Sequence, residues 1–539
     1  MKNPVNIQWK VFLISVLLLP GCDDGEFLEK DPYGTVSQAA FWNNANDAHL
    51  ALMGLYNNSS SVGDVLSGWQ FQFMMMNCSG DLNVLGVWGD PIIGNMSPAT
   101  QFTASVWQGI FRKVARTNYF IENIDRVDMN ENDKVEMKAE ARFIRAFCYF
   151  YGTQFWGDFP LVTKLLTIPE ANSVSRDPKQ VVVDFVLSEL SEAANGLPVT
   201  RPDSELGRAE KGAALAMKGR LLMAEERWSE AVSTYEEIMD LGYSIDPRYR
   251  TLFLEEGETS PEIILSTNYI NSGSIGGYTT SWMSWPFSQR GRGNSGVNNS
   301  MVETYECTDG LPIDESPLYD PENPFENRDP RLYASVLLPN YSTIDGELFV
   351  THPDSVNSLD KYPTGTPTGY GIRKNWDENY EGGVTNYGGD AIRIRYAEVL
   401  LSYLESKLEA GDPIDQDLLD RTINMVRGRA EVSMPPVTET NPDALRTILR
   451  RERRVEFFLE YDINYWDKLR WRTAHIAFNG PVYGSKICDS PANCDFTVDD
   501  RGHIQIGVLN FRENVDYLWP VPQNEMDISV NLDQNPGYQ

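Results

Sequence analysis

"GAALAMKGRLLMAEERWSEAVSTYEEIMDLGYSI" (Gly212 to Ile245) is the stretch on which the fold turns. Its apolar residues recur at steps of three and four, as in Ala231, Tyr235 and Ile238, and that spacing lines one face of an α-helix. A polar break near Trp228 divides the pattern, so the stretch reads as two helices joined by a tight turn. Small residues at Ala216, Gly219 and Ala231 allow the two helices to approach closely. Leu222, Tyr235 and Ile238 fill the space between them.

The same grammar extends in both directions. This hairpin looks like a tetratricopeptide pair, with Gly219, Ala231 and Tyr235 near the expected places. Upstream, "EMKAEARFIRAFCYFYGTQFWGDFPLV" carries apolar residues at 137, 141, 144, 147, 151 and 155, one buried helical stripe closed by Gly157 and Pro160. "VVVDFVLSELSEAANGLP" predicts another helix, stopped by Gly196 and Pro198. Downstream, "DAIRIRYAEVLLSYLESKLEAG" (390–411) predicts a stripe of Ile394, Ala397, Leu401, Leu404 and Leu408, capped by Gly411. Two further helices are expected near 415–430 and 442–461. The expected class is all-α, a scaffold of helical pairs with long irregular loops and little β; such pairs usually serve as platforms.

Between the helical blocks, residues 267–300 and 340–390 are rich in Gly, Asn, Thr and Tyr and show no helical period. Long loops of this kind are functional or disordered, and their tryptophans argue against disorder. The net charge of −31 repels nucleic acid and anionic lipid heads and suits neutral or cationic ligands. Six cysteines are scattered, and only Cys488 and Cys494 are near enough for a local disulfide. Cys148, in the apolar helical pattern, is expected to be a buried thiol. No C-x-x-C occurs and the four histidines lie far apart, so zinc has no support.

The first residues carry a separate message. Lys2 and Lys10 precede a short apolar run, Val11 to Leu19, too brief for the ~20 residues of a spanning helix but right for a secretory signal. Gly21 directly before Cys22 resembles a bacterial lipobox, which would leave Cys22 acylated as the first mature residue. Stable attachment takes more than one acyl chain, at about 0.8 kcal/mol per buried methylene. Asp23, Asp24 and Glu26 follow at once.

Seven segments in this order resemble the SusD/RagB family of Bacteroidetes outer-membrane lipoproteins. They are "FLEKDPYGTVSQAAFWNNANDAHLALMGLYN", "AEARFIRAFCYFYGTQFWGDFPLV", "YECTDGLPI", "NRDPRLYASVLLP", "IRIRYAEVLLSYLESKLEAG", "RERRVEFFLEYDINYWDKLRW" and "LWPVPQNEMDISVNLDQNPGY". None is diagnostic alone; together, behind a lipobox, they are specific. The resemblance divides the chain into a signal peptide (1–21), a lipidated tether (22–35), an N-terminal helical region (36–260) and a C-terminal region with ligand-binding loops (261–539). It implies a glycan-binding face and a SusC-like TonB-dependent transporter over which the protein acts as a lid. It also implies that the acidic residues after Cys22 are a surface-export signal. No cofactor is implied, with a structural calcium ion left open.

A neutral sugar offers flat C–H patches and a rim of hydroxyls, so its site calls for exposed aromatic faces beside short polar side chains. Trp282 and Trp285, in "YTTSWMSWPFSQRGRG", fit best, with Tyr278, Arg290 and Asn294 nearby; the alternative is that both rings pin the loop to the scaffold. Trp88, with Asp81 and Asn83 upstream, is the second choice, and Trp376 and Tyr380 are weaker ones. Trp69, Phe71 and Phe73 alternate with polar residues and read as a half-buried core strand. "RRERRVEFF" reads as an ion-pair network within one helix rather than an anion site. Three functions follow for consideration: a non-catalytic glycan receptor, a peptide-binding lid of the RagB type, and a surface glycoside hydrolase. The last needs two carboxylates about 5 to 10 Å apart, and no nucleophile elbow, metal motif or phosphate loop accompanies it.

Overall fold

Asn44 starts the first helix: its Oδ1 accepts the N–H groups of Asn46 and Asp47, while Asp47 bonds back to the Asn44 N–H. The computed structural model describes residues 41–57, 62–84, 90–271, 283–489 and 491–539. The signal, Cys22, its acidic tether, Trp88, Tyr278 and Trp282 lie outside the described residues. The scaffold comprises α1 (Ala45–Tyr56), α2 (Trp69–Asn77), α3 (Gln101–Ile124), α4 (Glu131–Trp156), α5 (Lys179–Gly196), α6 (Lys211–Ala224) and α7 (Trp228–Met239). Later in the chain come α8 (Tyr396–Glu409), α9 (Pro442–Glu456) and α10 (Ile463–Arg470). The fold is helical; among the described residues the strands form five two-stranded antiparallel sheets. None of the described helices is long and apolar enough to cross a membrane.

The stripe on α4 is buried as its period requires, with Ala141, Ile144, Phe147, Tyr151 and Phe155 inaccessible and Cys148 beside them. Gly157 ends the helix at φ 73°, its N–H bonded to the Thr153 carbonyl. The last residues of the chain return to this end: Trp519 stacks on Phe155 at 3.6 Å between ring centroids, and Trp156 Nε1 donates to the Pro520 carbonyl at 2.9 Å. One apolar core therefore runs from Trp42 to Tyr538 and draws on both halves of the sequence.

In the α6–α7 hairpin the position of a Cβ at Gly219 lies 2.5 Å from Cζ of Tyr235, whose ring is buried. Only glycine admits that approach. Gly219→Val is expected to destabilise the chain by about 1–3 kcal/mol through overpacking; an unchanged urea midpoint would count against the close contact.

Two local expectations fail, each for a physical reason. Residues Ala391–Arg395 form a strand (β4), paired antiparallel with Ile263–Thr267 (β2), and the helix begins only at Tyr396. "AIRIR" alternates with period two, and Ile394 belongs to that strand rather than to the helical stripe. Conversely "WQFQF" is the start of helix α2, with Phe71 and Phe73 core residues and Trp69 partly buried. Every residue from Phe71 to Asn77 is buried, so no amphipathic period survives to distinguish helix from strand.

Candidate functional site

The floor beneath the C-terminal loops is ionic. Glu456 of α9 bonds Arg395, Arg429 and Arg331, each at 2.7–2.8 Å. Glu452 bonds Arg331 and Arg427, Glu262 bonds Arg395 and Arg429, and Glu460 bonds Lys374 and Arg395. Asp329 adds to Arg331, and Glu306 joins Arg427 to Arg451. Six carboxylates thus face six cations, and of the twelve only Arg451 is appreciably solvent-exposed. The network expected within one helix is instead a junction between elements: α9 supplies Glu452, Glu456 and Arg451, β4 supplies Arg395, the short helix Pro330–Ser335 and its N-cap supply Arg331 and Asp329, and a loop supplies Lys374. Burial would raise the pKa of Glu456, but Arg429, Arg395, Arg331 and Lys374 outweigh it and hold the carboxyl far below its usual range.

On this floor the loops converge. Leu82–Val84 (β1) pairs antiparallel with Ser295–Val297 (β3), and the Asn294 N–H donates to the Met283 carbonyl. The described backbone thus sets Val84 and Met283 against the adjacent residues Ser295 and Asn294.

Trp285 is not the exposed ring considered above. Its indole is 1 % exposed, its Nε1 donates to the Asn375 carbonyl at 3.0 Å, and Tyr387 lies edge-on at 5.2 Å. Trp376, 2 % exposed, belongs to the same small cluster, with Tyr380 on its edge. These rings pin the loops. Asp81 is likewise no sugar ligand: it is buried, 2.7 Å from Arg454, and accepts from Asn464. Burial pushes its pKa up, and the charges of Arg454 and Lys468 more than reverse this. Asn83 is half-buried, its Nδ2 directed at the Ile506 carbonyl. Arg290 is exposed, in the left-handed region at φ 63°, capping the short turn Phe287–Gln289.

That turn borders a cavity of about 580 Å³ between it and the loop 344–360. Gln289 Nε2 donates to Asp345, and the Ser288 N–H donates to Asp360, which knits the two sides together. Asn357, Ser355 and Ser358 give hydroxyl and amide groups to the wall; Leu348, Val356 and Leu359 give exposed apolar surface. Phe287, 46 % exposed, stands at the rim. A search for tryptophans passes over Phe287 and this loop; the irregular composition of 340–390 was the available signal. A cavity of this size with alternating polar and apolar walls suits a saccharide unit. Cys488 and Cys494 are disulfide-bonded, Cα–Cα 5.7 Å. Among the described residues no group of three or more His, Cys, Asp or Glu side chains is placed to hold a metal ion.

Two carboxyls near the loop base behave differently from the network. Burial raises Asp390 to about 7, with the charge of Glu255 adding to it, and burial together with the Asp390 charge raises Glu258 to about 8. A carboxyl whose folded pKa is raised holds its proton longer in the folded chain than in the unfolded one. It therefore costs stability as pH climbs from about 4 through the folded value. Asp390→Asn keeps an acceptor for the Tyr269 N–H and sets an NH2 donor against the Ser266 hydroxyl oxygen, whose own proton goes to Asn268. Its melting temperature is expected to exceed the parent's at pH 8 and to approach it at pH 5; equal melting at both would refute the assignment.

A scaffold of helical pairs that also carries a loop-walled cavity is the architecture of a binding protein. The sequence profile described as the SusD family matches residues 261–538, and one described as "Starch-binding associating with outer membrane" matches 87–223. A crystal structure of a SusD-like carbohydrate-binding protein of Bacteroides fragilis has a TM-score of 0.85 and 33 % identity, covering 92 % of this chain and 100 % of that one. SusD-like protein P2 of Formosa agariphila is 24 % identical over 557 residues, 98 % of this chain and 99 % of its own. Protein P25 of the same organism is 28 % identical over 277 residues, 49 % of this chain and 51 % of that one. The chain belongs to the SusD family.

Proposed function

We propose that this protein is a non-catalytic glycan receptor, anchored through acylated Cys22 to the outer membrane and facing the cell exterior. It captures oligosaccharide or polysaccharide in the loop cavity and passes it to a SusC-like TonB-dependent transporter, over which it closes as a lid. The observation that carries this reading is the end-to-end likeness, at 33 % identity, to a SusD-like carbohydrate-binding protein. Outer-membrane association in the description of the second profile supports the location.

One observation favours a second reading. Among the described residues Asp345, Glu347 and Asp360 line the cavity and no Lys or Arg does, a balance that suits a basic peptide. A glycan array followed by calorimetry on the chain from residue 23 onward separates the two. Polysaccharide binding is expected, and Trp282→Ala is expected to abolish it with little change in melting. Binding to cationic peptides and to no polysaccharide would establish the alternative.

A further inference from the structure

Helix α9 presents Arg450, Arg451 and Arg454 to a second cavity, of about 420 Å³, and Lys468 of α10 is its fourth cation. This cavity is lined by none of the residues of the loop cavity. Its own carboxylates are largely committed elsewhere: Glu303 is 2.6 Å from Arg501, and Asp467 is held by Arg453 and Arg470. Asp314 stands exposed at the rim. Three of the four cations share two carboxylates. Glu306 lies 2.6 Å from Arg451 but also serves Arg427, and Asp81 is 2.7 Å from Arg454 and 3.6 Å from Lys468. Arg450 has no carboxylate within ion-pairing distance among the described residues. Its guanidinium lies 4.8 Å from the Trp471 ring centroid, and its Nε is buried with no hydrogen-bond partner. Burial depresses the pKa of Lys468, the mark of a cation short of compensating charge.

A chain of net charge −31 therefore carries a local positive surplus inside a walled cavity. Arg450 is half-buried, and leaving its buried Nε without a partner is costly; an anion that reached the guanidinium would form charge-assisted, planar hydrogen bonds. The cavity exceeds the needs of a bare ion. Pro312 and Ile313 give apolar wall for C–H faces, and Thr304 and Thr473 give hydroxyls.

We propose that this cavity binds the anionic group of an acidic saccharide, a uronate carboxylate or a sulfate ester, with Arg450 as the principal contact. The site stands apart from the loop cavity and does not depend on what that cavity binds.

Calorimetry on the chain from residue 23 tests it with trigalacturonate, neutral galactotriose and sodium sulfate as probes. Trigalacturonate should bind, more weakly as ionic strength rises, and galactotriose should not compete for the site. Arg450→Gln should weaken trigalacturonate binding at least about tenfold, the loss of one charge-assisted contact, with melting unchanged. The Arg450-dependent part of trigalacturonate binding should persist when the loop cavity is disabled by Trp282→Ala. No binding of trigalacturonate, equal binding by Arg450→Gln, or sulfate binding as tightly as trigalacturonate (a plain ion site) would each overturn the proposal. If Arg450→Gln melts markedly lower, competition on the parent chain decides: excess sulfate must displace trigalacturonate, and failure to do so refutes the site.

Discussion

The chain carrying Glu456→Gln is expected to be less stable than the parent by about 3–5 kcal/mol, because removing one partner of a buried ion pair leaves uncompensated charge. Glu456 touches three arginines, so the substitution leaves five carboxylates facing six cations in the buried junction. Urea midpoint and melting temperature measure the loss. The pH profile gives a second check. Glu456 and Glu452 are both held below the ordinary carboxylate range once their arginines outweigh burial. Their contribution is present above the unfolded value of about 4.3 and disappears as pH falls through the folded ones. The parent should therefore lose stability steeply below about pH 4, and Glu456→Gln less steeply. A variant that keeps the parental midpoint would show that the ionic floor does not hold the loops.

Trp285→Ala is expected to cost about 3–5 kcal/mol, the range for emptying a buried aromatic site. The ring is enclosed by Leu337, Ile344, Phe349, Trp376 and Tyr387, and its N–H holds the Asn375 carbonyl. Loss of the ring leaves a void and an unpaired acceptor beneath the loop. Ligand binding should fall too, through disorder of the loop rather than loss of a stacking face. Phe287→Ala, at the rim of the cavity, should do the reverse: weaken the ligand and leave melting nearly unchanged. Parental melting of Trp285→Ala would return that indole to the ligand side.

The division between what could and could not be read beforehand follows the range of the interactions. The three-and-four period along α4, the hairpin at 212–245 and the buried Cys148 depend on neighbours within about one or two helical turns, and the sequence alone determined them; it offered the Cys488–Cys494 bond only as a possibility. So did family membership, because its segments recur in order along the whole chain. Exposure of a given ring is another matter. Trp285 and Phe287 sit two residues apart in one loop, yet one is enclosed by residues 337–387 and the other is exposed, next in sequence to the cavity-lining Ser288. The carboxylates of α9 pair with Arg331, Arg395, Arg427 and Arg429, up to 125 residues distant, where helical spacing offered intrahelical partners. Even the strand at "AIRIR" is fixed by pairing with Ile263–Thr267 and by the carboxylates that Arg395 reaches. Helices were legible because their periodicity is local; the binding surface was decided by tertiary structure, because burial and charge compensation are set by groups that only folding brings together.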